Sequence, residues 1–275
     1  MLNRDRLSHS PFPLRVGAFF LALAVLWLPL AGILSATIRD ANTLTILAMS
    51  LLFIEFVVLV QVWGRQVYRD SKILRRYGLA RNRLNGLELL QGLGLGLISL
   101  FSMFVLQGLL GWSVWQPTST ALPRFVLEGG LVGLGVGLAE ELLFRGWLTD
   151  ELERDYSPTT TLWASSLTFA VLHFIKPLDE VLHTLPQFWG LLLLGLTLAL
   201  AKQGSRGRLG LPIGLHGGLV WGYYIVNVGA LVSYTEDVPT WLTGINQNPL
   251  AGGVGLLFLA GLAVYMWRRS QSQHW

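Results

Sequence analysis

Apolar residues fill this chain in long blocks separated by short polar stretches. At about 20 residues a helical block crosses the hydrocarbon of a bilayer. The blocks predict eight spans: Val16 to Ile38, Asn42 to Trp63, Leu84 to Trp112, Arg124 to about Asp150, Thr159 to Ile175, Leu185 to Ala201, Leu209 to Leu231, and Leu250 to Trp267. The first block follows Arg4, Arg6 and Arg15 as a secretory signal would. It is too long for a signal's apolar region and has no convincing small-residue cleavage site, so it reads as a retained span. No stretch between blocks is large enough for a separate soluble core. Residues 1–275 therefore read as one integral membrane domain of all-α class, a polytopic helix bundle.

Composition supports this picture: 52% of the residues are hydrophobic and 13% charged, against roughly 25% charged in a soluble domain. Charge then sets the orientation. With the N-terminus cytoplasmic, the inside segments collect 17 of the 20 Lys and Arg residues, and Arg39, Arg124 and Lys176 remain outside. Arg145 is counted among the 17 although it falls within a span, and setting it aside leaves the bias intact. This positive-inside pattern argues for an even number of spans and for both termini in the cytoplasm. It also explains the pI near 9.6 without a polyanion, and nucleic acid is discarded as a partner. The absence of cysteine removes disulfides, thiolate chemistry and Cys-based metal sites.

Trp63, Trp112, Trp115, Trp241 and Trp267 fall near predicted span ends and read as interfacial anchors. The basic segment RDSKILRRYGLARNR, Arg69 to Arg83, reads as a charge cluster that fixes topology, in preference to an interfacial helix drawn to anionic lipid. Gly92, Gly94 and Gly96, with the glycines from Gly129 to Gly137, supply small faces for close helix packing.

The stretch GLAEELLFRGWL, Gly137 to Leu148, places charge where the pattern expects membrane interior. Glu141 and Arg145 are four apart, so they share a helix face and neutralise each other. Glu140 is left over, and a charge at the bilayer centre costs about 2.5 kcal/mol or more. The fifth span carries FAVLHF, with Phe169 and His173 again four apart. Between the two spans, Ser157 and Pro158 stop one helix and start the next. Glu140 and His173 are equidistant from a turn at Tyr156 to Pro158, each about 16 residues or roughly 24 Å away. They are expected to face each other, provided the fourth helix continues to about Asp155. In LPIGLHGGLVWGYY, His216 is flanked by Gly214, Gly217 and Gly218, which let a backbone or a substrate come close.

Taken singly, these residues also read as a salt-bridged cluster gluing helices and as packing histidines. Together a carboxylate and two imidazoles suit hydrolysis, with Glu140 and His173 deprotonating a water and His216 donating to the oxyanion. Glu55, the other intramembrane carboxylate, is expected to pair with a polar group on a neighbouring helix rather than to face the same cavity. His9, His183 and His274 receive no role.

These motifs carry a resemblance. EELLFR is similar to the EExxxR motif, FAVLH to the FxxxH motif, and His216 to the third histidine of the CPBP family, also called the type II CAAX prenyl endopeptidase or Abi family. The similarity covers roughly Phe125 to Asn227, within a catalytic core at 124–231. It implies an eight-helix intramembrane endopeptidase of a bacterial-type cell membrane, cutting a membrane-associated protein or peptide. By the same resemblance Glu140 and His173 activate water, Glu141 and Arg145 order the site, and His216 helps bind the oxyanion. The family often has Asn four residues after the third histidine, whereas this chain has Val220.

The family has been described as metal-dependent, and Glu140, Glu141, His173 and His216 offer oxygen and nitrogen ligands for zinc. No HExxH helix is present and Glu141 is engaged by Arg145, so metal-free catalysis without a cofactor is expected. The competing readings are a catalytically silent scaffold or immunity protein of the same family, and a proton-coupled transporter, which more usually shows repeated halves with broken helices.

Overall fold

The computed structural model describes residues 4–235 and 238–272, which leaves His274 outside the described residues. Eight helices of at least 15 residues lie where the apolar blocks lie: α1 Phe12–Thr37, α2 Ala41–Gln66, α3 Arg83–Leu109, α4 from Leu122–Glu141, α5 Pro158–Leu172, α6 Gln187–Gln203, α7 Gly210–Val228 and α8 Gly253–Gln271. Their starts follow local chemistry. Asp40 caps α2 by accepting from the Thr43 amide at 2.8 Å, and Asn82 caps α3 by accepting from the Asn85 amide at 2.8 Å. Ser157 caps α5 through the Thr160 amide, with Pro158 at the first helical position.

Among the described residues, α1, α2 and α3 are long and apolar enough to cross a membrane. A fourth is added if α6 and the short helix Leu178–Thr184, bent 74° from it, form one span. By length and composition alone, three or four of the expected eight crossings are shown among the described residues. The other helices are shorter or carry charge: α4 holds Arg124, Glu128, Glu140 and Glu141, and α5 has 15 residues.

Helix α7 is the central element, packed between α3 and α4. Glycine makes both contacts possible. A Cβ on Gly96 of α3 would stand 2.6 Å from the Leu215 carbonyl oxygen, and one on Gly137 of α4 would stand 2.7 Å from that of Ile213. Such close approach is how helices without a hydrophobic drive between them gain packing energy. Two short strands, β1 Ser113–Trp115 and β2 Val232–Tyr234, pair antiparallel with Val114 opposite Ser233 and tie the end of α3 to the end of α7.

The first two helices dock on the end of α4 through aromatic rings and a buried ion network. The Phe19 ring lies 4.6 Å from that of Trp147 and 5.4 Å from that of Trp63. Trp63 is consequently buried in the core and is not the interfacial anchor its position suggested. Arg15, 2% exposed, pairs with Glu151 at 2.8 Å, and Glu151 also accepts from the Tyr68 hydroxyl at 2.5 Å. Burial first, then the Glu151 carboxylate, raises the Tyr68 phenol above its ordinary pKa and keeps it a donor. Within the basic segment, before α3 starts at Arg83, the helix is limited to Ile73–Arg76, and Ile73 and Tyr77 plug into the core. There is no extended interfacial helix here.

Candidate active site

The fourth helix changes geometry where its charges begin. After Glu141 it continues as a π-helix, Leu142–Leu148, and returns to α-helix over Thr149–Glu153. Single π turns are rare and recur at functional sites. Two side chains satisfy carbonyls of this turn: the Thr149 hydroxyl donates to Phe144 O at 2.9 Å, and Lys202 Nζ donates to Arg145 O at 2.5 Å. Neither the π turn nor the clamping role of Lys202 was legible in the sequence, where Lys202 counted only as an inside charge.

The turn buries Arg145 completely. Its Nη1 donates to Glu141 Oε1 at 2.9 Å and its Nη2 to the Gly195 carbonyl at 2.9 Å, so the expected pair forms and also reaches across to α6. The guanidinium stands 4.5 Å from the centre of the Phe169 ring, a cation–π contact. Phe169 is fully buried, and its ring centroid lies 4.6 Å from that of His173 and 6.1 Å from that of His216. The phenylalanine of the FxxxH pattern is therefore the apolar floor on which the polar groups rest.

All five candidate residues converge. His173 caps the end of α5, and its Nδ1 lies 2.7 Å from Phe169 O. A carbonyl only accepts, so Nδ1 carries the hydrogen and Nε2 is left towards the site. His216 Nδ1 lies 2.9 Å from Glu141 Oε1, which fixes its ring in the same sense. Both Nε2 atoms are 3.9 Å from Glu140 Oε2, an oxygen with no hydrogen-bond partner in the protein. The level match argued from the Ser157–Pro158 turn is thus realised in space. Glu140 and His173 are about a third exposed, at 30% and 33%, whereas His216 is 5% exposed.

These three side chains line a cavity of about 450 Å³. Its other walls are mostly apolar, including Val136, Leu194, Leu219 and Phe258, with Ser99, Lys176, Gln187, Tyr223 and Asn248 bringing polar groups. Val220 lines it too, so the apolar replacement for the family's Asn faces the site. Glu55 is not among the lining residues, and its Oε2 is buried with no hydrogen-bond partner, so the pairing expected on a neighbouring helix does not form. Among the described residues no three His, Cys, Asp or Glu side chains are grouped so as to hold a metal ion.

Residues 122–222 match the family model described as type II CAAX prenyl endopeptidase Rce1-like. This segment, rather more than a third of the chain, is thus similar to the CPBP family of CAAX-protease-like proteins. The matched stretch contains Glu140, Glu141, Arg145, His173, His216 and Val220. The family is one of proteases, and together with the apolar helices α1 to α3 it places the chain in a lipid bilayer. No curated protein and no solved structure matches the chain.

Proposed function

We propose that this protein is an intramembrane endopeptidase that hydrolyses a peptide bond of a membrane-associated protein or peptide with water activated by Glu140 and His173. The observation that carries the reading is the placement of Glu140 Oε2 at 3.9 Å from both imidazole Nε2 atoms, on the wall of a largely apolar cavity. A water seated to one side of these atoms is within hydrogen-bond reach of the carboxylate and of His173. Glu140 or His173 takes its proton as the oxygen attacks the scissile carbonyl, and that proton passes to the leaving amine as the tetrahedral intermediate collapses. With Nδ1–H of His216 committed to Glu141, a proton on its Nε2 makes the ring an imidazolium whose charge faces a carboxylate. That ring is placed to donate to the oxyanion. Glu141 and Arg145 hold it in place.

The same proposal takes the chain as a multi-pass protein of a bacterial-type membrane with eight crossings, cytoplasmic termini and no metal or other cofactor. The bias of Lys and Arg to one side supports the orientation. A proton-coupled transporter would place broken helices in two corresponding halves, whereas the described helices contain one bent pair. Val220 is the observation that favours the other reading, a silent family member acting as a scaffold or immunity protein, because it removes a side-chain donor from the cavity.

The test compares membrane peptides in cells carrying the intact protein with those in cells carrying Glu140→Gln. A shortened peptide that vanishes in the variant identifies the substrate. Identical peptide patterns, with both proteins folded in the membrane, favour the silent member.

A further inference from the structure

The segment joining α5 to α6 contains the helix Leu178–Thr184, which the bend of 74° turns away from the direction of α6. At about 100° per residue, its side chains fall into three sectors. Val181 and the buried Thr184 point towards the protein. Leu178, Leu182 and Leu185 form one exposed flank, each more than half exposed. Asp179, Glu180 and His183 form the other exposed flank. Both flanks are exposed, yet one is wholly apolar and the other wholly polar. A helix whose exposed surface divides in this way fits a boundary between lipid and water.

The apolar flank continues the outer wall of α5. Trp163, Leu167, Val171 and Ile175 recur every four residues, and all are between 47% and 78% exposed. Leu178 follows Ile175 after Lys176, which turns to the cavity, and Pro177. Trp189, 65% exposed at the start of α6, ends the wall with the ring type favoured at headgroup depth. The segment is tied to the cavity at both ends, because Lys176 on one side of the short helix and Gln187 on the other both line it. His183 on the polar flank reaches Asn246 Oδ1 at 3.5 Å, in the loop that supplies Asn248 and Leu250 to the same cavity.

We propose that the helix Leu178–Thr184 lies in the bilayer surface, apolar flank in lipid and polar flank in water, and forms the sill over which substrate passes from the lipid phase into the cavity. The partner of this surface is the bilayer itself. The passage of substrate rests on the endopeptidase reading, whereas the seating of the helix does not.

Because the chain has no cysteine, single cysteines at Leu182, Leu178 or Asp179 carry an environment-sensitive fluorophore without further engineering. The labelled full-length protein is placed in vesicles of phosphatidylcholine and phosphatidylglycerol and exposed to nitroxide-labelled lipid or to aqueous iodide. Labels at 182 and 178 should be quenched several-fold more by the lipid nitroxide, and the label at 179 by iodide. Equal responses on the two flanks overturn the seating, as does shielding of the leucine positions from both quenchers, which would mean that a protein or a second copy covers them. In a second arm, Leu178→Glu with Leu182→Glu should lower the ratio of cleavage rates on lipid-anchored and unanchored forms of one peptide by about tenfold or more. An unchanged ratio overturns the sill while leaving both the seating and the endopeptidase reading in place, and no cleavage of either peptide by the parent protein counts against the endopeptidase alone.

Discussion

Nδ1 of His216 lies 2.9 Å from Oε1 of Glu141, and the same oxygen accepts from Nη1 of Arg145 at 2.9 Å. One fully buried carboxylate therefore holds a cation on its own helix and an imidazole on α7. Glu141→Gln keeps the volume and removes the charge, leaving Arg145 uncompensated where no water reaches it. The variant should lose about 3–5 kcal/mol of stability, the usual cost of breaking a buried pair. Denaturant unfolding in detergent measures this, and a variant as stable as the parent contradicts the shared-carboxylate arrangement.

Glu140 should behave in the opposite way although it is the adjacent residue. Its Oε2 has no partner and its side chain is 30% exposed, so little packing depends on it. Glu140→Gln and His173→Ala should fold normally and lose roughly 100 to 10,000-fold in turnover, the range for removing a general base. Near-normal turnover of either purified variant ends the assignment of water activation to these two groups.

The contrast between the two glutamates was legible in the sequence because it follows from simple distances along helices. The four-residue spacing of Glu141 and Arg145 pairs them, and the Ser157–Pro158 turn sets Glu140 level with His173. The π turn left no such mark: Leu142 to Leu148 has ordinary helix formers, and what satisfies its carbonyls comes partly from Lys202, more than 50 residues away. Tertiary partners of this kind are invisible to local spacing. Trp63 failed for a related reason, since a ring at a span end is an anchor only if no neighbour covers it, and Phe19 does. The short helix Leu178–Thr184 was within reach, because Leu178 and Leu182 stand four apart between the fifth and sixth predicted spans.

Lys202 gives the π turn a test of its own. Its ammonium donates to Arg145 O, and hydrogen bonds to charged groups contribute about 1.5–3 kcal/mol. Lys202 is not among the residues lining the cavity that holds Glu140, His173 and His216. Lys202→Met should therefore lower kcat with little change in KM, as Arg145 and the Glu141–His216 pair lose their fixed positions, and Lys202→Arg should restore part of the loss. A rise in KM at constant kcat would place Lys202 in substrate binding instead.

Hydrolysis through side chains alone also predicts indifference to chelators. Prolonged incubation of the purified protein with a strong zinc chelator should leave turnover unchanged. Loss of activity restored by zinc, and not by magnesium or calcium, would mean that Glu140, His173 and His216 close around a metal in the working enzyme.

Val220 tests how the oxyanion is held. It lies one helical turn after His216 and lines the same cavity. If His216 is the main side-chain donor, His216→Ala should cost on the order of 100 to 1,000-fold in turnover, the penalty for one preorganised donor. Val220→Ala should cost less than about tenfold, because valine has no hydrogen-bonding group to lose. Val220→Asn puts an amide on the cavity wall within one turn of His216, where a second donor reaches the same oxygen, and activity should be retained or raised. The amide faces the cavity rather than the packed core, which limits the desolvation cost of an unpaired polar group. Turnover of all three variants on one cleavable substrate decides the matter: a harmless His216→Ala beside an inactive Val220→Ala would make His216 a packing residue and move the oxyanion site elsewhere in the cavity.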